Sequence, residues 1–215
     1  MSLFRKWVIK TYIWVTEQLY HRFAWAYDFV AWLVSFGNWA KWRQDVMGYL
    51  EPGKILEIGF GTGALLVKLK KQGCEVYGLD TSPQMLTVTR RRAEREGVFL
   101  RVVQARAQEI PFLNQGIDNI IATFPSGYIF DENSLKEIKR VLTNDGQVLI
   151  TGFGVQFNSG LKNWLTSWFL NDGSEFFIEK FCEKTQDLGF KSQLVRHRGG
   201  SYTLPIIILE IEDDK

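Results

Sequence analysis

Histidine and cysteine are nearly absent from this chain, with two of each in 215 residues. Cys74 and Cys182 lie far apart and share no metal-ligand spacing, so they read as buried free thiols of a reducing compartment. Neither a metal centre nor a cross-linked secreted scaffold is expected. His21 and His197 each stand alone and fit surface or structural roles. Five prolines, and no internal repeat, low-complexity segment or interdomain linker, leave one continuous unit. A surplus of charge is also missing: 26 Lys and Arg face 24 Asp and Glu, and a net charge of +2 does not call for a nucleic-acid partner. Missing too is an apolar run long enough to span a bilayer. The amino-terminal stretch after Lys10 is broken by Glu17 and lacks a small-residue cleavage site, and "FVAWLVSFGNWA" ends at Lys41. The expected location is therefore the cytoplasm.

Tryptophan, by contrast, is plentiful near the start. Trp7, Trp14, Trp25, Trp32 and Trp39 are spaced by 7, 11, 7 and 7 residues. At about 100° per residue these return to roughly one direction, which predicts a helical arm over residues 1–47, as one helix or two jointed near His21. The indole stripe packs the arm onto the domain, or roofs an apolar pocket. With Arg5, Lys6, Lys10 and Arg22 it also suits peripheral contact with a membrane interface, where tryptophan is favoured.

From residue 48 to 215 short apolar runs alternate with longer polar helical stretches. "KILEIGF", "CEVYGLD", "VFLRVVQA", "IDNIIATF" and "QVLITGF" read as strands. "GALLVKLKKQG" reads as a helix closed by Gly73, and "SPQMLTVTRRRAEREG" as one capped by Ser82 with Pro83 at its first position. "DENSLKEIKRVLTNDG" reads as a helix and turn. This alternation predicts an α/β, Rossmann-like, doubly wound and mostly parallel sheet. In the tail a short aromatic helix, "LKNWLTSWFL", and a helix from about Ser174 to Leu188 lead to two apolar runs joined by Gly199 and Gly200, an antiparallel hairpin that brings the count to seven strands. Pro205 predicts a bulge or a strand end in the last run.

The chemistry is concentrated in "ILEIGFGTG", residues 55 to 63. A strand that ends in glycines and feeds a helix presents free backbone N–H groups and a positive dipole end, and glycine lets a ligand approach the main chain. Seventeen residues beyond Gly63 the second strand ends in Asp80, where a carboxylate can accept both ribose hydroxyl hydrogens. A nucleoside-bearing cofactor follows. Gly59, Gly61 and Ala64 also satisfy the dinucleotide pattern, so a nicotinamide cofactor and an oxidoreductase stand as an alternative. Glu57, the extra glycine at Gly63 and the terminal hairpin favour a ligand with a cationic ammonium and sulfonium instead.

The chain resembles the class I S-adenosylmethionine-dependent methyltransferases, in the small-molecule group that includes the ubiquinone and menaquinone biosynthesis methyltransferases. "LEIGFGTG" is similar to the family's first motif, "GLDTSPQML" to its acidic second, "QARAQEIPF" to the loop written G-D-A-x-x-L-P-F, and "RVLTNDGQVLI" to the entry into the fifth strand. "YDFVAWLVSFGNWAKWR" is similar to the Tyr-Asp, Ser-Phe-Gly and Trp-Arg elements upstream of the core. The resemblance implies S-adenosyl-L-methionine as cofactor. Glu57 and the main chain of Gly59, Phe60, Gly61 and Gly63 would hold its methionine portion and Asp80 its ribose. Thr81, Met85, Ala107, Gln108 and Phe124 would flank ribose and adenine, and Tyr27 and Asp28 would close over it. The family usually has Asp where this chain has Arg106, and a guanidinium accepts no hydrogen bond. Either Gln108, Glu109 or a main-chain carbonyl substitutes, or cofactor affinity falls.

Methyl transfer from a sulfonium needs alignment and exclusion of water more than acid–base groups. No catalytic base is assigned. The rim "TFPSGYIF" lacks the Asn/Asp-Pro-Pro-Tyr/Phe pattern of enzymes that methylate nucleic-acid amines. Phe124 and Tyr128, with Tyr27, Trp164 and Trp168, point to a small apolar or aromatic acceptor. Arg90, Arg91, Arg92 and Arg95 read as a solvated helix face. A catalytically silent binding or regulatory protein on the same fold, motivated by Arg106 and the missing base, is the second reading.

Overall fold

The computed structural model describes residues 38–158 and 174–212. The arm's tryptophans before residue 38 and the aromatic helix around Trp164 and Trp168 lie outside them, as do Tyr27, Asp28 and His21. The chain enters through a short helix α1 (Trp39–Asp45) and a 3-10 turn (Val46–Tyr49). Then follow β1 (Lys54–Ile58), α2 (Ala64–Lys71), β2 (Glu75–Asp80), α3 (Pro83–Arg95), β3 (Arg101–Gln104), β4 (Ile117–Thr123), α4 (Glu132–Val141) and β5 (Leu142–Thr151). A two-residue strand β6 (Gln156–Phe157), helix α5 (Ser174–Asp187) and the hairpin β7 (Phe190–Arg198) and β8 (Tyr202–Ile211) complete the order.

The strands form one sheet in the order β3-β2-β1-β4-β5-β8-β6, with β7 pairing β8. Strands β1 to β5 are parallel, and β8 runs antiparallel to β5, β6 and β7. The seven expected strands are present, and β6 is an eighth too short to announce itself in the sequence. The central parallel strands are covered on both faces, with Leu56 and Ile58 on one side and Ile55 on the other, and their apolar runs are interrupted by buried Glu57 in β1 and Asn119 in β4. Residues α1 to α3 contribute, including Trp42, Leu66 and Met85, pack on the first face. Leu135 and Ile138 of α4 and Phe181 of α5 pack on the second. Glu57, between Leu56 and Ile58, falls on the face of Ile55.

Local signals act as expected at several ends. Ser82 caps α3, accepting from Met85 N at 3.3 Å, with Pro83 in the first turn. Asp131 caps α4 in the same way through Ser134 N at 3.0 Å. The "TNDG" turn appears as a break in register: Ile117 pairs Leu142, but the next partners are Asn119 and Gln147, so four residues of β5 are looped out against one of β4. Pro205 corrects the expectation of a bulge or strand end, because β8 passes through it in register with Arg196 of β7. On the other side of β8, β6 pairs up to Thr203 and β5 begins at Ile206, so the absent N–H falls in the gap between two neighbours. Its carbonyl accepts from Thr151 Oγ1 at 2.9 Å.

Candidate active site

The carboxyl ends of β1, β2 and β4 meet at one edge, where the glycine loop turns into α2. Gly59, Gly61 and Gly63 have φ of +73°, +54° and +69°, in the left-handed region that L side chains avoid. The alternate spacing is thus a backbone requirement, and each glycine answers to a different neighbour. A Cβ on Gly63 would stand 2.3 Å from Thr89 of α3, and one on Gly59 would stand 3.1 Å from the Tyr128 hydroxyl. On Gly61 it would meet nothing within 4 Å. Gly63 and Gly59 make room for the protein itself, whereas Gly61 leaves an open side.

The loop is tied to the second strand. Gly61 N donates to Asp80 Oδ2 at 2.9 Å, Ser82 N donates to Asp80 Oδ1 at 2.9 Å, and Gly59 N donates to Leu79 O at 2.7 Å. Thr89 Oγ1 donates to Gly61 O at 3.0 Å. Asp80 is only 1% exposed, so the acid expected at the ribose is turned inward onto the loop.

Glu57 sits just below, also 1% exposed. Its Oε1 accepts a long hydrogen bond of 3.5 Å from Thr123 Oγ1, and Oε2 has no hydrogen-bond partner among the described residues. Burial pushes its pKa up to about 8, with Arg43 pulling it down and Asp80 adding to the rise. A dry carboxyl with an unused oxygen is unfavourable on its own and suits a cationic hydrogen-bond donor. Arg43, itself 7% exposed on α1, is a site residue that the sequence reading named only inside the upstream Trp-Arg element. Its signal was the adjacent Trp42, whose burial turns α1 toward this edge.

The rim follows β4. Phe124 takes φ +51°, donates its N–H to Thr151 O at 2.7 Å, and stacks on Trp42 at 5.7 Å between ring centroids. Tyr128 Oη donates to Ile58 O at 2.9 Å. Burial raises its pKa first, and the acids Asp80 and Glu57 raise it further, so it stays a donor rather than a base. After β3, Ala105 N donates to Asp80 O at 3.1 Å, Ala107 is buried, Gln108 is half-buried and Arg106 is exposed. Thr81 is exposed, while the side chains of Phe60 and Met85 belong to the core. Phe60 packs against Gly78, where a Cβ would stand 2.7 Å from its ring.

Two other features lie apart from this edge. His197 is part of a side-chain network on the hairpin, with Nδ1 at 3.1 Å from Tyr49 Oη and Nε2 at 3.6 Å from Asp45 Oδ2. A cleft of about 640 Å³ opens at the amino-terminal edge of the sheet, beside Leu50, Pro52, Leu69 and Cys74, and contains none of the candidate cofactor or acceptor residues. Among the described residues no group of three or more His, Cys, Asp or Glu side chains is placed to hold a metal. No helix among them is long and apolar enough to cross a membrane.

A parallel sheet with a left-handed glycine turn after β1, an acid closing β2 and an antiparallel hairpin at the far end defines the class I methyltransferase architecture. Residues 55–146 match the family described as a methyltransferase domain. The chain is 35% identical over 133 residues to the demethylmenaquinone methyltransferase of Thermus thermophilus, covering 59% of this chain and 60% of that one. It is 30% identical over 148 residues to the ubiquinone/menaquinone biosynthesis C-methyltransferase UbiE of Pectobacterium atrosepticum, covering 65% and 59%. The matched segment therefore spans about 60% of the length of the curated relatives. In fold it is similar to a putative S-adenosyl-L-methionine-dependent methyltransferase of Methanococcus maripaludis, with a TM-score of 0.64, 20% identity and coverage of 89% and 93%. The geranyl diphosphate C-methyltransferase of Streptomyces coelicolor gives a TM-score of 0.58 at 13% identity, covering 81% and 82%.

Proposed function

We propose that this protein is an S-adenosylmethionine-dependent methyltransferase of a small apolar or aromatic acceptor, and that a quinol ring carbon is the acceptor that best fits its relatives. The observation that carries the reading is Glu57 Oε2, a buried carboxyl oxygen without a hydrogen-bond partner among the described residues, at the end of the strand that leads into the turn opened by Gly61. A ligand with an ammonium group and a ribose fits that pairing. Glu57 would take the ammonium, the main chain of Gly59 to Gly63 the methionine portion, and Asp80, at the end of β2, the ribose. When bound, the cofactor supplies the electrophilic methyl group.

The chain's own residues align and shield. Phe124, half-buried at the rim and backed by the buried ring of Trp42, offers an apolar surface for an aromatic or isoprenoid acceptor rather than a hydrated one. Tyr128, held protonated, donates to the main chain at Ile58 and keeps the floor of the rim in place. The relatives named for menaquinone and ubiquinone biosynthesis support the quinol assignment. Peripheral contact with a membrane through the tryptophan-rich arm fits an acceptor of that kind.

The test is calorimetric titration with S-adenosylhomocysteine, followed by transfer of labelled methyl to a panel of quinols, phenols and amines. Binding with label on a quinol carbon is the expected result. Label on an amine alone removes the acceptor assignment, and binding without turnover across the panel moves the chain to the silent reading.

A further inference from the structure

The connection from β3 to β4, residues 105–116, returns along the length of the sheet without a helix of its own. A crossover normally satisfies its main chain inside a helix, so something else must hold this one. Arg140, in the last turn of α4, does so. Its Nη1 donates to Phe112 O at 2.9 Å and to Asn114 Oδ1 at 2.8 Å, and its Nη2 donates to Ile110 O at 2.8 Å. Glu137 fixes the guanidinium through both oxygens, at 2.6 and 2.7 Å, and accepts from Ile110 N at 2.9 Å. The pair is half-buried, and a bidentate fork of this kind sets direction as well as strength.

The near end of the same connection is fastened to Asp80 through Ala105 N. The sheet order β3-β2-β1 puts the glycine turn at β1 and the ribose acid at β2, so a base attached to that ribose extends over the segment leaving β3. In that segment Arg106 is exposed and offers no acceptor, whereas Gln108, two residues on, is half-buried and carries one.

We propose that Arg140, oriented by Glu137, is a positioning residue for nucleobase recognition: it sets the main chain of residues 105–110, and that main chain with Gln108 reads the base. The inference rests on the cofactor reading above. It deepens that reading by moving adenine selectivity from a side chain on the loop to a clamp on the neighbouring helix.

The experiment compares S-adenosylhomocysteine with S-inosylhomocysteine, which differ only on the edge of the base, by calorimetry on the whole chain and on Arg140→Gln, Arg140→Lys and Glu137→Gln. The wild type should prefer the adenosyl ligand. Arg140→Gln should lose about tenfold in adenosyl affinity, the scale of a misplaced hydrogen-bond pair, with the preference falling toward unity. Arg140→Lys, which keeps the charge without the fork, should recover part of both. Hydrogen exchange should rise at amides 105–112 while amides 59–63 are unchanged. A melting temperature that drops with the adenosyl preference intact would make the clamp structural only, and Glu137→Gln gives the same reading if Arg140→Gln fails to fold. A wild type that binds neither ligand removes the cofactor reading and this inference together, whereas one that binds both equally removes this inference alone.

Discussion

Two polar clusters touch α1, and they are built on opposite principles. On the hairpin side, Tyr202 Oη hydrogen-bonds Asp45 Oδ2, Asp45 faces His197, and His197 pairs with Tyr49. Every member has a protein partner, and the cluster binds the root of the arm to the carboxyl-terminal strands. On the glycine side, Glu57 keeps an oxygen without a hydrogen-bond partner, Gly61 faces open space, and the acids crowd together although burial opposes their charge. The first arrangement is what attachment looks like, and the second is what a place for a charged ligand looks like. Satisfaction of polar groups separates the two more sharply than residue type, since both contain acids, tyrosine and a base.

The largest effect that sharpens this contrast is expected inside the glycine turn. Gly63→Ala places a Cβ 2.3 Å from Thr89 at φ +69°. Left-handed strain and overpacking together should remove about 4 kcal/mol of stability. Gly61→Ala carries similar strain with no clash, so about 1 kcal/mol is expected with loss of S-adenosylhomocysteine binding. Urea unfolding and calorimetry on both variants check the split. Equal stability losses would mean that Gly61 is no more open than Gly63.

The next effect comes from Glu57. Its folded pKa of about 8 stands above its ordinary 4.5, so between those values the folded state holds a proton that the unfolded state has lost. Stability should fall as pH rises through that window, by up to about 1.4 kcal/mol per unit, and level off on either side. Glu57→Gln abolishes the slope and should exceed the wild type by about 3 kcal/mol at pH 7. Urea midpoints of the two proteins from pH 5 to pH 9 measure this. Parallel curves would show that Glu57 is ionised and compensated in the fold, and the contrast between the clusters would vanish.

The hairpin cluster should respond in the opposite sense. Tyr202→Phe removes the donor to Asp45 and should lower stability by about 1.5 kcal/mol, while leaving affinity for S-adenosylhomocysteine within twofold. A loss of affinity larger than the loss of stability would join the two clusters into one site.

How far the sequence carried depends on what each feature asks of the chain. The central parallel strands are covered on both faces, so β1 and β4 had to be mainly apolar and were visible as runs despite Glu57 and Asn119. The three glycines were visible because their φ values admit little else. Arg43 was hidden, since a basic residue on a short helix has many outlets and only the packing of Trp42 selects this one. The Arg140 clamp was hidden for a related reason: an arginine three residues after a glutamate reads as a surface pair, and the carbonyls that it holds belong to a loop with no pattern. The two-residue β6 and the passage of β8 through Pro205 depend on which strand ends beside which, a tertiary matter that local propensity does not encode.

The smallest expected effect concerns Arg106, where the chain departs from the family's acidic residue. Its side chain is exposed, so Arg106→Asp should leave stability unchanged. If the base of the cofactor lies over this segment, the new carboxylate supplies an acceptor for its amino group, and affinity for S-adenosylhomocysteine should rise about fivefold, the gain of one hydrogen bond partly open to water. The inosyl analogue has a carbonyl at that position and should gain nothing or lose. The same substitution on top of Arg140→Gln should gain less, because an acceptor on a displaced main chain no longer meets its donor. An equal gain in both backgrounds would mean that the side chain reads the base directly and that the clamp does not set its position.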